Sequence, residues 1–385
     1  MRLEPVLRRA VMVNLTELEQ RAIDAPINLS DGHPRQELTG EQRKLVLRFP
    51  EIFEAAREEP FADVERAAHV EFLRMLGQPS APVDAGRVFS VYSSSVATMV
   101  VGAVLADRGD TVALLHPTFD NIHDLLVRAT RLVPVSEAEC TAADLRAPRR
   151  MGARCLFVTT PNNPTGWFLD RDGFQRLAAE CAETGMVLCV DSSFRGFDTR
   201  AQFDHYEILH RTGVSYILIE DTGKLWPVAE LKLGFLVVSE DLRPAVEHVL
   251  SDVLLTVSPF LLKIIEALSA EGRDKGLDEL HTLIAANRQV VAQAVAGLPG
   301  IRLADGAGRV SVSRLRFDTP RQAEAARLGL QELGVHVLPC QQFHWARPQE
   351  GATLVRLALA RDTATVADAM KRLTGFCGAT DWARR

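Results

Sequence analysis

Lys224 stands in Glu220-Asp221-Thr222-Gly223-Lys224-Leu225-Trp226, about sixty residues after the turn Pro161-Asn162-Asn163-Pro164-Thr165-Gly166, and Asp191 lies between them at the end of an apolar run. An amine nucleophile, an amide in a tight turn and a strand-end carboxylate, in that order, suit an aromatic aldehyde cofactor, pyridoxal 5′-phosphate (PLP). Lys224 would hold the aldehyde as a Schiff base. Asn163 would meet the phenolic oxygen, and Asp191 would keep the pyridine nitrogen protonated, so that the ring draws electrons from a substrate. A lone Asn-Pro is only a turn signal, and most lysines are surface residues. The six-residue word, and the Thr-Gly turn before Lys224 with Leu225-Trp226-Pro227 after it, are far more specific.

Other positions fit around this trio. Ser93-Ser94-Ser95 follows a strand and opens a helix, where hydroxyls and backbone N–H groups either cap the helix or cradle a phosphate. Lys232, eight residues after Lys224, could reach that phosphate as a point charge. Phe119, in His116-Pro117-Thr118-Phe119-Asp120-Asn121, either stacks on the pyridine ring or packs in the core. Arg356 interrupts the apolar run Leu354–Leu359; its guanidinium suits a bidentate clamp on an α-carboxylate, with a structural ion pair as the alternative.

Positioning these groups requires strand ends. Between residues 88 and 240, β-branched and apolar runs (Val88–Tyr92, Thr111–Leu115, Cys155–Thr160, Met186–Val190, Tyr216–Ile219) alternate with helical patterns such as Arg171–Thr184. That alternation predicts an α/β fold with a mostly parallel sheet and chemistry at the carboxyl ends of its strands. Helical patterns from Pro259 to Ala270 and Leu277 to Leu298 lead to a smaller α+β unit. Its expected strands are Val310–Phe317, Val335–Leu338 and Leu354–Leu359, and its helices Ala323–Leu333 and Ala364–Leu373. The organisation read from this is an N-terminal helix/lid and small-domain segment (1–60), a large PLP-binding domain (61–290) and a C-terminal small domain (291–385). Residues 1–60 read as a short helix plus loop. The pattern holds no internal repeat.

The 385 residues are 47% hydrophobic, enough for a large core, and a net charge of -6 without charge blocks argues against nucleic acid as a partner. Met1-Arg2-Leu3-Glu4-Pro5 lacks the apolar run of a signal peptide, and no apolar stretch reaches the ~20 residues of a membrane span. Six scattered cysteines without CxxC spacing read as buried free thiols of a cytoplasmic protein. No metal-binding or flavin motif is visible, which leaves PLP as the expected organic cofactor.

Taken together these positions resemble the fold type I PLP enzymes, the aspartate aminotransferase superfamily, over nearly the whole chain. Longer words resemble one group within it, the PLP- and O2-dependent L-arginine oxidases and hydroxylases of enduracididine and azomycin biosynthesis. Those words are Ser30 to Gln36 (SDGHPRQ), Tyr92 to Val96 (YSSSV), His116 to Leu126 (HPTFDNIHDLL), Ser193 to Asp198 (SFRGFD), Glu220 to Pro227 (EDTGKLWP) and Ser251 to Leu255 (SDVLL). The resemblance implies that an N-terminal helix folds over the site. It implies that Thr16 and Glu19 contact substrate, that His33 is a catalytic acid/base, and that Asp221 helps bind the guanidinium. It further implies O2 as co-substrate, a homodimer, and 4-hydroxy-2-oxoarginine and 2-oxoarginine as products with ammonia and H2O2, in natural-product biosynthesis. Two departures from ordinary aminotransferases agree with that group: Phe194 where a tyrosine is usual, and Lys232 where an arginine is usual. Transamination of a basic amino acid and 4,5-desaturation of arginine are the enzymatic alternatives; a PLP-fold regulator without catalysis is the non-enzymatic one.

Overall fold

The computed structural model describes residues 13–379 except 229, so the Met1–Pro5 segment lies outside the described residues. Seven strands form the large sheet: β1 (Val88–Val91), β2 (Thr111–His116), β3 (Arg131–Ser136), β4 (Ala153–Thr159), β5 (Val187–Asp191), β6 (Tyr216–Asp221) and β7 (Gly234–Val238). Their order is β1-β7-β6-β5-β4-β2-β3, parallel throughout except that β7 runs antiparallel to both its neighbours. Every residue of β5, β6 and β7 is buried. Strands covered on both faces carry unbroken apolar runs rather than alternation, which is why the central strands stand out in the sequence. Their predicted ends fall within two residues of those observed. The edge strand β3, with Arg131 and Pro134 exposed, gave no such run.

Helices fill both faces. Asn14 caps the short α1 (Leu15–Arg21), its Oδ1 accepting from Glu17 N–H at 2.8 Å. Next come α2 (Ser94–Asp107), α3 (Asp120–Leu126), α4 (Arg171–Thr184), α5 (Pro259–Lys275) and α6 (Asp278–Val295). The bounds of α4 follow from its caps. The Asp170 side chain accepts from Gly173 N–H, and Gly185 at φ +66° ends the helix in the left-handed region.

A second sheet of order β10-β11-β9-β8 is antiparallel: β8 (Ile301–Leu303), β9 (Val312–Phe317), β10 (Leu338–Pro339) and β11 (Leu354–Ala358), with α7 (Pro320–Glu332) against it and α8 (Thr363–Ala379) packed on α6 and α7. The single run expected at 335–338 is in fact split. Val335–His336 pairs in parallel with Ile27–Asn28, and only Leu338 and Pro339 join the sheet. The first 60 residues hold more helix than expected. Besides α1, Gly40–Leu47 is helical behind a Thr39–Gln42 capping box, followed by Phe49–Glu58 with Pro50 in its first turn. Those start signals are local and were legible. All six cysteines are free and buried.

Candidate active site

The carboxyl ends of β4, β5 and β6 open into a cavity of about 440 Å³. Every residue singled out above lines it: Thr16, Glu19 and His33 from the N-terminal segment; Ser93, Ser94, Ser95, Phe119, Asn163, Asp191, Asp221, Lys224 and Lys232 from the large sheet; and Arg356 from β11. Sequence-distant groups are thus brought together at the strand ends, where an open α/β sheet places its ligands.

Lys224 ends a single 3-10 turn, Thr222–Lys224, which the adjoining strand holds down. Thr222 N–H donates to the Leu233 carbonyl at 2.9 Å, and Leu233 N–H donates to Thr222 Oγ1 at 2.8 Å. Asp221 Oδ1 accepts from Gly223 N–H at 2.7 Å, and its Oδ2 accepts from Ser94 Oγ, also at 2.7 Å. Burial alone would raise the Asp221 pKa, but the charge of Lys224 and these bonds hold it below the usual carboxylate value. Asp221 therefore positions the lysine turn in addition to lining the cavity.

Asp191 is buried and accepts from Ser193 N–H at 3.0 Å and from Ser193 Oγ. Burial pushes its pKa up against those bonds, and the neighbouring Asp221 adds to the rise. In the Pro161–Gly166 turn the two asparagines divide the work. Asn162 Nδ2 donates to the Pro117 carbonyl and to Glu137 Oε1, both at 2.8 Å, and so fixes the loop. Asn163 faces the cavity, with a buried Oδ1 that has no partner.

Ser93 Oγ accepts from Val96 N–H at 3.2 Å, so it caps α2, while Ser94 is engaged by Asp221. The helix end is crowded by design: a Cβ on Gly234 would come within 2.8 Å of the Ser93 carbonyl carbon and 3.0 Å of Ser94 N. Lys232 Nζ lies 2.9 Å from His33 Nε2 and contacts Glu230, and Lys224 Nζ lies 3.4 Å from the same His33 nitrogen. The Lys224 charge, then burial, lowers the His33 pKa. A neutral ring accepts through the one lone pair of Nε2, and Lys232 is the nearer donor to it. Phe194, buried, lines the cavity without a donor.

Arg356 is completely buried. Its Nη2 donates to Glu19 Oε1 at 3.2 Å and to the Ser30 carbonyl, while Nε and Nη1 have no partner. Burial raises the Glu19 carboxyl to about 7 despite Arg356 and Lys224 nearby. Two groups were missed by sequence reasoning. Asp120 Oδ2 accepts from Leu15 N–H at 2.7 Å and ties α1 down beside Phe119. Asp31 lies 3.6 Å from His33 Nδ1 and is gripped by Arg35 and Arg361. Both sit inside the words quoted above, but Leu15 lies 105 residues from Asp120 and Arg361 lies far along the chain from Asp31, so these bonds could not be read.

PLP is the cofactor that this type of fold implies, and the residues present fit it. An asparagine amide facing the cavity, a buried carboxylate, an amine on a rigid turn and a helix N-terminus closely approached by a glycine meet in one place. The fold and site thus define a PLP-dependent enzyme of the aminotransferase type. The chain belongs to the family "Aminotransferase class I and II", whose model matches residues 49–373. Within it, the chain is 44% identical to MppP, solved after soaking with the product 2-ketoarginine, at a TM-score of 0.88, covering 91% of this chain and 99% of that one. That likeness bears out the resemblance to the arginine-oxidase group. A histidinol-phosphate aminotransferase of Roseiflexus castenholzii is 26% identical over 73% of this chain and 75% of its own. The aspartate aminotransferase of Thermus thermophilus with maleate shares the fold at 17% identity, with TM-score 0.76 and coverage of 95% and 97%. No helix among the described residues is long and apolar enough to cross a membrane.

Proposed function

We propose that this protein is a PLP-dependent, O2-consuming oxidase of L-arginine acting in natural-product biosynthesis, and that it works as a cytoplasmic homodimer. The observation that carries this reading is the pairing of a lid carboxylate, Glu19, with the half-satisfied Arg356 in a chain 44% identical to a protein solved with 2-ketoarginine.

When bound, PLP supplies an aldehyde that condenses with amines and a ring that takes up electrons. Asp191 would hold the proton on the ring nitrogen, Asn163 would face the phenolic oxygen, and Ser93, Ser94, Ser95 and Lys232 would surround the phosphate. Phe119 would stack on the ring. Arg356, buried with Nε and Nη1 unpaired, would hold the substrate carboxylate. Glu19, with Thr16 beside it and Asp221 across the cavity, would receive the guanidinium. Lys224 moves the α-proton, and neutral His33 takes or returns a second proton. Helix α1 covers the cavity and keeps water out.

Balanced as a reaction, arginine, one O2 and one water give 2-oxoarginine, ammonia and one H2O2. The 4-hydroxylated product requires two O2 and two waters and releases two H2O2. Phe194 favours this reading over plain transamination, since no hydroxyl at that position donates to the phenolic oxygen. The test is turnover of L-arginine under air and under argon with a keto-acid acceptor, using L-lysine, L-ornithine and L-canavanine as comparators. Oxygen uptake with L-arginine, and silence under argon, are expected. Anaerobic amino transfer at the aerobic rate would replace the oxidase with an aminotransferase, the activity of the curated relatives.

A further inference from the structure

A cluster outside the cavity has an unmet need. His344, in the loop between β10 and β11, is 94% buried, and neither ring nitrogen has a hydrogen-bond partner. Buried imidazole nitrogens are normally paired, and an orphaned pair calls for an explanation such as an ion. Around it stand His116, the last residue of β2, and Glu350, in the 3-10 turn Pro348–Gly351. Glu350 Oε2 lies 3.3 Å from His116 Nε2 and 3.7 Å from His344 Nδ1, and one donor atom from each residue falls within 4.8 Å of the other two.

The geometry points to a divalent transition-metal site, of the Zn2+ class, built from His116, His344 and Glu350. Two ligand atoms each about 2.0–2.1 Å from one tetrahedral ion stand about 3.3 Å apart, close to the 3.3 and 3.7 Å found here. Two imidazoles and one carboxylate are donors that suit Zn2+ over Mg2+ or Ca2+. Arg347 Nε holds the other Glu350 oxygen, Oε1, at 3.0 Å, which leaves Oε2 aimed inward. Glu350 is exposed, so an ion enters from solvent on that side and water fills its remaining coordination.

Ligation through His116 Nε2 moves its proton to Nδ1, which now accepts weakly from Ala346 N–H at 3.4 Å. Binding therefore displaces the Ala346 amide. The site joins the end of β2, three residues before Phe119, to the loop of the small sheet. Thr118 N–H donates to the Phe343 carbonyl at 3.1 Å, and Trp345 Nε1 donates to the Leu115 carbonyl at 3.0 Å along the same seam. An ion here would staple the seam beside the candidate active site. No spacing rule finds such a site, because its ligands come from positions 116, 344 and 350.

The test is a Zn2+ titration of chelator-stripped, PLP-loaded protein by calorimetry, with Mg2+ as the control cation and E350Q and H344Q as variants. E350Q changes an exposed side chain and keeps the fold even where H344Q loses it. One Zn2+ per chain, at least tenfold weaker binding in E350Q, and a Zn2+-dependent rise in thermal midpoint absent from E350Q are expected. Zn2+ bound equally by wild type and E350Q, or no saturable binding by wild type, overturns the site.

Discussion

At the scale of single residues the site is a set of charges held in unfavourable states until ligands arrive. Arg356 is buried with two nitrogens unpaired, and burial lowers its pKa as it raises that of Glu19. Both shifts say that this pair alone does not repay its desolvation, as is common for buried ion pairs. A carboxylate on Arg356 and a cation on Glu19 would satisfy both. Because Glu19 loses its proton near pH 7, the apparent KM for L-arginine is expected to fall roughly tenfold from pH 6 to pH 8, as the anionic fraction grows. In E19Q the KM stays high and this dependence disappears; an E19Q profile parallel to wild type would remove Glu19 from substrate binding. The sign for stability is opposite. A carboxyl raised from 4.5 to about 7 stabilises the fold at low pH, and that contribution is lost as pH rises through 7. Lys224→Ala should lower turnover by ~10³-fold or more, and it should also leave PLP removable by dialysis, followed as loss of cofactor absorbance from the protein. Retention of covalent cofactor in K224A would move the anchor elsewhere.

At the scale of elements, α1 is seven residues long, too short to persist by itself. Its place depends on Asn14 at the cap, on buried Leu15, and on the bond from Leu15 N–H to Asp120. A hydrogen bond to a charged group contributes about 1.5–3 kcal/mol, so Asp120→Ala should raise the KM for arginine about tenfold or more. Its effect on kcat should be smaller, and trypsin should cut faster at exposed Arg21. An unchanged KM would mean that α1 is held by other contacts. The sequence made α2, α4 and the central strands legible because capping residues and unbroken apolar runs are local signals. It hid the role of α1's anchor and the split at Val337, because both are decided by partners more than a hundred residues away. The same limit explains the lysine turn. Lys224 is marked by its neighbours, yet the bonds from Thr222 to Leu233 and from Ser94 to Asp221 that fix it come from folding alone.

At the scale of the whole molecule, all thirteen candidate residues meet in one cavity, although they are drawn from segments between Thr16 and Arg356. That convergence was predictable only because the α/β pattern sends each motif to a strand's carboxyl end. Arg356 arrives from the other sheet, marked by its charge inside an apolar run, and only the resemblance placed Thr16, Glu19 and His33 with the rest. The surface still carries an unmet demand. Leu255 is 96% exposed, with Val253 at 41% just before it. Tyr92, just before the Ser93 cap, and Met99, within α2, are both 44% exposed, and Tyr92 also lines the cavity. Large apolar side chains left this open mark an interaction surface rather than a solvated one. A second copy of the chain is the partner proposed here, since the helix ending at Val253 packs directly on α2 beside the site. Light scattering should then give twice the chain mass of 42.4 kDa for wild type. Leu255→Glu, which buries nothing within one chain, should halve it and weaken PLP retention while leaving the far-ultraviolet dichroism unchanged. A wild-type mass of one chain would leave Leu255 free for a different protein and make the cavity complete within a single subunit.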